Sequence, residues 1–274
     1  MLNKILPWTL CVLSMMLATT AHAQDDGISF GSVAMDVPAA MHKRLTPLMQ
    51  YLSDALGRPV SLKLSKNMPE AIRAISNQSV DLAYLTPVAY IRAHDAGQAR
   101  LVVKTVTDGS SAFKLMVVVR EDSPFTSMED LANKRFAFGD PAALLQRAVV
   151  VGGGMPLEMF SSYKFLGHYD NIVRAVMRKE FDAGILKDTT AYKWEKKGVR
   201  ILYRSPDLPP YNIAASSSMD DATLEKVRQA FLALDVTKPA HRLVIKALDK
   251  KYDGFAATTD EEYDVVRQLI QPFK

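Results

Sequence analysis

The sequence predicts an α/β protein of two doubly wound lobes joined by a two-strand hinge, and three observations predict it. Short apolar runs of strand character alternate with amphipathic helical patterns. The alternation comes in two sets, each long enough for one lobe. Two extended passages separate the sets, one of them rich in proline.

The chain begins with Lys4, an almost wholly apolar stretch from Ile5 to Leu17, and Ala21-His22-Ala23, the small-residue pattern that signal peptidase reads. Residues 1–23 are therefore expected to be a cleavable secretory signal, with Gln24 the first mature residue. The apolar stretch falls short of the roughly 20 residues that span a bilayer, and no later stretch approaches that length. Cys11 follows Thr9 and Leu10 rather than the small residues of a lipoprotein site. It is the only cysteine, so the mature chain excludes disulfides, thiolate metal sites and a cysteine nucleophile together. Without Lys4 the mature chain carries 33 basic and 30 acidic residues. That balance is too mild for nucleic acid, and no basic cluster interleaved with aromatics changes it.

In the first set, Ile28 to Ala34 reads as a buried strand. Met41, Leu45, Leu48, Met49, Leu52 and Leu56 follow at helical spacing until Gly57 and Pro59 stop the helix. "VSLKL" is a second strand, and Pro69 opens a helix whose stripe is Ala71, Ile72 and Ile75. "DLAYL", a helix from Pro87, and "RLVVKTV" complete the set, with parallel pairing expected throughout.

The second set starts after "KLMVVV". Thr126 and Glu129 read as a capping box, "RFAFGD" is a strand, and Pro141 opens a helix that ends at Gly152 to Gly154. "SYKFLG", a helix through Ile172, Val173 and Val176, "DAGIL", a helix from Thr189, and "VRILY" follow. After the extended "SPDLPPYNIAA", helical patterns at 221–234, 241–250 and 260–269 have no strands of their own and are expected on the first lobe. The crossings fall near 113–119 and 204–215. The expected division is residues 24–116 with 212–274 in one lobe and 117–211 in the other, a clamp that holds a ligand where the strand ends face each other.

Six segments in order carry a family resemblance: "LTPLMQYLSDALGRPV", "AIRAISNQSVDLAYLTPVAYI", "VVVREDSPFTSMEDLANKRFAFGDPA", "FLGHYDNIVRAVMRKEFDAGILKDT", "SPDLPPYNIAASSSMDDATLEKVRQAFLAL" and "KYDGFAATTDEEYDVV". Across nearly all of the mature chain the sequence resembles the periplasmic substrate-binding proteins of phosphate, phosphite and phosphonate ABC importers, the phosphonate-binding group. The resemblance implies the type II periplasmic binding fold. It also implies capture of a small oxyanionic ligand and its delivery to an ABC permease at the inner membrane. A sensor that docks on the periplasmic domain of a histidine kinase is the alternative, and a periplasmic enzyme the remote one. A monomer without cofactor or metal is expected.

The ligand residues match the family less well than the scaffold. Where its phosphonate binders carry a Ser-Thr-Ser-Gly run at a helix start, this chain has Ala142, Ala143 and Leu144. Met68 and Phe113 stand where the family has tyrosines. The resemblance places His168 in the cleft, although a Gly-His-Tyr-Asp turn also suits a helix cap. Asp188 is either a cleft contact or the cap of the helix from Thr189. Thr86 and Tyr84 are first-lobe contacts, with a core role open for Tyr84, and Asp36 faces the cleft or caps the first helix. Asp140 reads as a turn carboxylate, since an acid there would repel an anion.

Gly152-Gly153-Gly154 follows a helix and lacks a Lys-Ser/Thr pair, so it is no phosphate loop. Thirteen scattered methionines read as core filler. The five histidines form no ligand-spaced pair, and no serine sits in a nucleophile elbow.

Overall fold

The computed structural model describes residues 27–33 and 37–273. The expected signal and Asp36 lie outside the described residues. Strand β1 (Ile28–Val33) leads to helix α1 (Pro38–Leu56), which buries Met41, Leu45, Leu48, Met49 and Leu52. Gly57 ends that helix in the left-handed region at φ 65°, a conformation that costs glycine little. Strand β2 (Val60–Ser65) pairs with β1 in parallel, Ile28 opposite Val60.

Helix α2 (Met68–Ser76) starts on a reciprocal cap. The Asn67 Oδ1 accepts from the Glu70 amide at 2.9 Å, and the Glu70 carboxylate accepts from the Lys66 amide at 2.9 Å. Strand β3 (Leu82–Leu85) is buried along its whole length. The Thr86 hydroxyl then accepts from the Ala89 amide to start α3 (Pro87–Asp95), and β4 (Ala99–Thr107) follows.

The second set comprises β5 (Leu115–Arg120), β6 (Arg135–Phe138), α4 (Leu144–Gly152), β7 (Ser162–Phe165), α5 (Tyr169–Met177), β8 (Ala183–Lys187), α6 (Asp188–Trp194) and β9 (Val199–Arg204). The chain closes with β10 (Asn212–Ser216), α7 (Asp221–Leu232), α8 (Pro239–Leu248), β11 (Tyr252–Ala256) and α9 (Asp264–Ile270).

Two sheets result, in the orders β11-β4-β10-β3-β1-β2 and β7-β6-β8-β5-β9. Parallel pairing holds only within β1, β2 and β3 and within β6, β7 and β8. In each sheet one strand supplied by a crossing intrudes antiparallel: β10 between β3 and β4, and β5 between β8 and β9. The boundary expected at residue 116 thus falls inside β5, whose paired residues cannot also flex as a crossing.

The crossings themselves are shorter than expected and bond to each other. The Phe113 amide donates to the Leu208 carbonyl at 3.0 Å, and the Leu208 amide returns a bond to Phe113 at 2.8 Å. One step along, Leu115 and Ser205 bond through backbone and hydroxyl, and Lys114 pairs with Asp207.

Three local expectations need correction. The carboxylate that caps at Thr126 and Ser127 is that of Asp130, one residue beyond Glu129. Helix α4 begins at Leu144, not Pro141, because the Asp140 Oδ1 accepts from the Ala142 amide at 2.8 Å and turns the chain first. The C-terminal helical patterns do have a strand among them. β11 pairs with β4 across a bulge between Tyr252 and Gly254, and the bulge breaks the alternation that would have marked it.

Helices α7 and α8 pack on α1, whereas α9 packs on α4 of the second set as well as on α3. Its Leu269 presses so close to Gly152 that a Cβ there would sit 2.5 Å from a Leu269 methyl. The buried apolar residues accordingly include one cluster that runs through both lobes, from Ile75 and Tyr90 through Val266 and Ile270 to Val149 and Phe138.

Candidate functional site

A cavity of about 650 Å³ lies between the two sheets, within the roughly 300–1,000 Å³ that small-molecule sites occupy. Of the residues singled out in the sequence, Met68, Thr86, Phe113, Ala142 and Ala143 line it together. They arrive from separate elements: Met68 from the first turn of α2, Thr86 from the cap of α3, Phe113 from the hinge, and the two alanines from the turn before α4. The first residues of α2, α3, α4 and α5 all meet at this cavity, which brings four positive helix poles to one space. At α4 the capping position is Ala143, whose side chain can accept nothing.

Three expected residues are placed otherwise. His168 precedes α5 without a side-chain capping bond and is exposed; its neighbour Tyr169 lines the cavity instead. The preceding Gly167, at φ 75°, bends the chain there and presents Tyr169 inward. Asp188 is neither a lining residue nor a helix cap. Its Oδ2 accepts from the Lys114 amide at 2.7 Å and its Oδ1 from the Thr189 amide at 2.7 Å, so it ties β8 to the hinge. Tyr84 sits behind the wall, 5% exposed, its hydroxyl bonded to that of Tyr252 and its ring stacked on Tyr211 at 4.9 Å. Of these three rings, Tyr211 and Tyr252 reach the cavity.

The structure adds three cations that the sequence did not single out: Arg92, Arg147 and Lys187 line the cavity, and among the described residues no carboxylate does. Lys187 lies with its ammonium 5.2 Å from the centre of the Phe113 ring, a cation–π contact. Burial pushes the ammonium below its ordinary range, a shift that the neighbouring Asp188 only partly opposes. Arg147 donates to the Pro141 carbonyl at 2.9 Å and covers the Phe165 ring, which fixes its guanidinium beside the α4 start.

The signal that could have found Lys187 was its place at the end of a buried strand, one residue before the Asp188 that drew attention. Phe113 had been marked for its own sake, but only the folded hinge puts the two together.

Hydroxyls complete the polar inventory. Thr105, Thr107, Tyr169, Tyr211 and Tyr252 reach the cavity. Burial raises the Tyr211 hydroxyl and pushes that of Tyr169 up to about 12, so both are protonated donors at neutral pH. Gln146, itself buried, accepts from the Gly139 amide at 2.8 Å and approaches the Tyr169 hydroxyl at 3.4 Å, which holds that ring against the wall. Helix poles, cations and hydroxyl donors between the two lobes give the cleft a lining that favours negative charge.

Fold and cleft together are those of a bilobal solute-binding protein. The match to the model of the family "ABC transporter, phosphonate, periplasmic substrate-binding protein" extends over residues 30–263, and the chain belongs to that family. It is 24% identical over 271 residues to the phosphonates-binding periplasmic protein of Escherichia coli K12, covering 92% of this chain and 79% of that one. Among solved structures, it superposes with a TM-score of 0.73 on a Xanthomonas citri protein bound to ATP, at 18% identity over 90% of this chain and 99% of that one. A phosphonate-binding protein of Prochlorococcus marinus in complex with methylphosphonate gives a TM-score of 0.68 at 17% identity, covering 91% of this chain and 98% of that one. The family expected from the sequence and its type II fold hold, and the protein is a periplasmic substrate-binding component of an ABC importer.

Proposed function

We propose that this protein, exported by a cleaved N-terminal signal, closes its two lobes on a small organic or inorganic anion and presents the closed form to an ABC permease. The carrying observation is the charge of the cavity: three cations, four helix poles and no carboxylate among the described lining residues. An anion entering there exchanges its hydration for fixed donors. Met68, Thr86, Phe113, Ala142 and Ala143 are its proposed neighbours, with Lys187 the principal charge.

The hinge geometry supports closure. Only residues 108–114 and 205–211 join the sheets, and a few such residues absorb a domain rotation. The α9 strap limits its range, because it packs on both lobes. Closed and open lobes differ in surface shape, which is what a permease would distinguish.

A thermal-shift panel on the mature protein tests the anion reading, with phosphate, phosphite, alkylphosphonates, sulfate, carboxylates, and amines as the opposite charge. A ligand at 100 times its Kd stabilises by about 2.7 kcal/mol. Stabilisation by anions supports the reading; stabilisation by amines or neutral solutes alone refutes it.

A further inference from the structure

We infer that the anion is carried on an apolar body of several carbons and that the cavity selects such molecules over bare inorganic oxyanions. This rests on the anion reading above and names the substrate class of the same site. Apolar side chains dominate one part of the wall. Tyr84, Tyr252 and Tyr211 belong to or pack on the core cluster of the six-stranded sheet. Met68, Ile72, Val88, Phe113, Leu144 and Phe273 pack on the other cluster, the one that runs through both lobes. The starts of α2, α3 and α4, with Phe113 and Phe273, thus bring most of the apolar side chains to the cavity, with Arg92 and Arg147 rising from the same helices. Lys187 lies over the ring of Phe113.

Two features argue against an inorganic dianion. A buried dianion needs a full shell of donors to offset the loss of its water. The turn that meets it at α4, Ala142-Ala143-Leu144, supplies no side-chain donor. Moreover, fifteen of the twenty-five residues that line the cavity are apolar. A solute with an alkyl or aryl substituent fills that space and removes apolar surface from water on both partners. Phe273 closes the apolar end from the C-terminus. That places the substituent against Met68, Ile72, Leu144 and Phe273, and the anionic group toward Lys187 and the Tyr211 and Tyr252 hydroxyls.

The test is calorimetric titration of the mature protein, residues 24–274, with inorganic phosphate, methylphosphonate, butylphosphonate, hexylphosphonate and phenylphosphonate, with hexanol and hexylamine as charge controls. Affinity is expected to rise about four-fold per methylene from methyl to butyl, with inorganic phosphate weakest and the controls silent. Equal or falling affinity along the alkyl series, or no binding by any alkyl or aryl anion, overturns the inference while phosphate binding would leave the anion reading standing. Hexanol or hexylamine binding as tightly as hexylphosphonate overturns the anion reading itself. Leu144→Ser gives a second readout: the hexyl-to-methyl affinity ratio is expected to fall about ten-fold with the melting temperature retained, and an unchanged ratio in the folded variant refutes the placement of the substituent.

Discussion

Replacing Lys187 by Met separates the charge of the cavity wall from its bulk. The side chain is half-buried at the end of β8, its ammonium lies over the Phe113 ring, and among the described residues no hydrogen bond or ion pair ties it. In the unliganded protein the charged ammonium is held at a desolvation cost, as its lowered pKa indicates. The sign of the linkage follows. A lysine with a depressed folded pKa contributes more stability above its unfolded pKa than below its folded one, so at neutral pH the charge opposes folding.

Met keeps the apolar stem, relieves that cost, and forfeits a cation–π contact of about 0.5–1 kcal/mol. The two effects oppose each other, and unfolding free energy should change by less than about 1 kcal/mol. Binding behaves differently. A charge-assisted bond to an anion is worth about 1.5–3 kcal/mol, so the Kd of the tightest anion should weaken roughly 10- to 150-fold. Calorimetric titration beside denaturant unfolding measures both quantities. A folded Lys187→Met variant that binds within three-fold of wild type would refute the role assigned to Lys187. So would a fall in stability of several kcal/mol, since the side chain would then be holding the fold rather than awaiting a ligand.

Further outcomes follow from the same geometry. An anion should raise the Lys187 pKa, so binding takes up protons on the alkaline side and affinity should fall as pH rises through the depressed pKa; titrations between pH 7 and 10 in buffers of different ionisation heat read this, and Lys187→Arg should remove the dependence. At the strap, Arg267 pairs with Asp260 at 2.6 Å and Asp264 at 2.9 Å. Burial opposes ionisation of Asp260, but the bonds from Arg267 and Tyr90 outweigh it and hold the carboxyl below its ordinary value. That contribution is present above the unfolded pKa and disappears as pH falls through the folded one, so wild type should lose more stability than Arg267→Ala between pH 7 and pH 3 in thermal melts. Finally, Gly184 in β8 has Ile172 and the Ala137 carbonyl where a Cβ would lie, at 2.3 and 3.1 Å. Gly184→Ala should cost about 1–3 kcal/mol by overpacking and lower Tm by roughly 2–4 °C per kcal/mol.

Local pattern was enough to read most of the fold. The stripe Met41, Leu45, Leu48, Met49 and Leu52 marks a helix because every one of those positions meets the same core, and Gly57 stops it by a conformation that other residues adopt at a cost. The strands β3 and β8, buried on both faces, read as continuous apolar runs for the same reason. Where the pattern failed, a non-local partner had overridden it. Nothing in "SPDLPPYNIAA" says that its last residues insert antiparallel between β3 and β4, and nothing in "YDGFA" outweighs the bulge that hides β11.

For the site, the sequence by itself determined the family, the export signal expected at residues 1–23, and the apolar replacements at Met68, Phe113 and Ala142 to Leu144. Those are statements about residue types in order along the chain. Only the tertiary structure decided that the replacements face one space, that Tyr169 rather than His168 enters it, that Asp188 secures the hinge, and that Arg92, Arg147 and Lys187 supply its charge. The reason is geometric. A cleft is built from strand ends and helix starts that lie far apart in sequence, and which side chain at each end points inward is set by the packing of two lobes rather than by any neighbour along the chain.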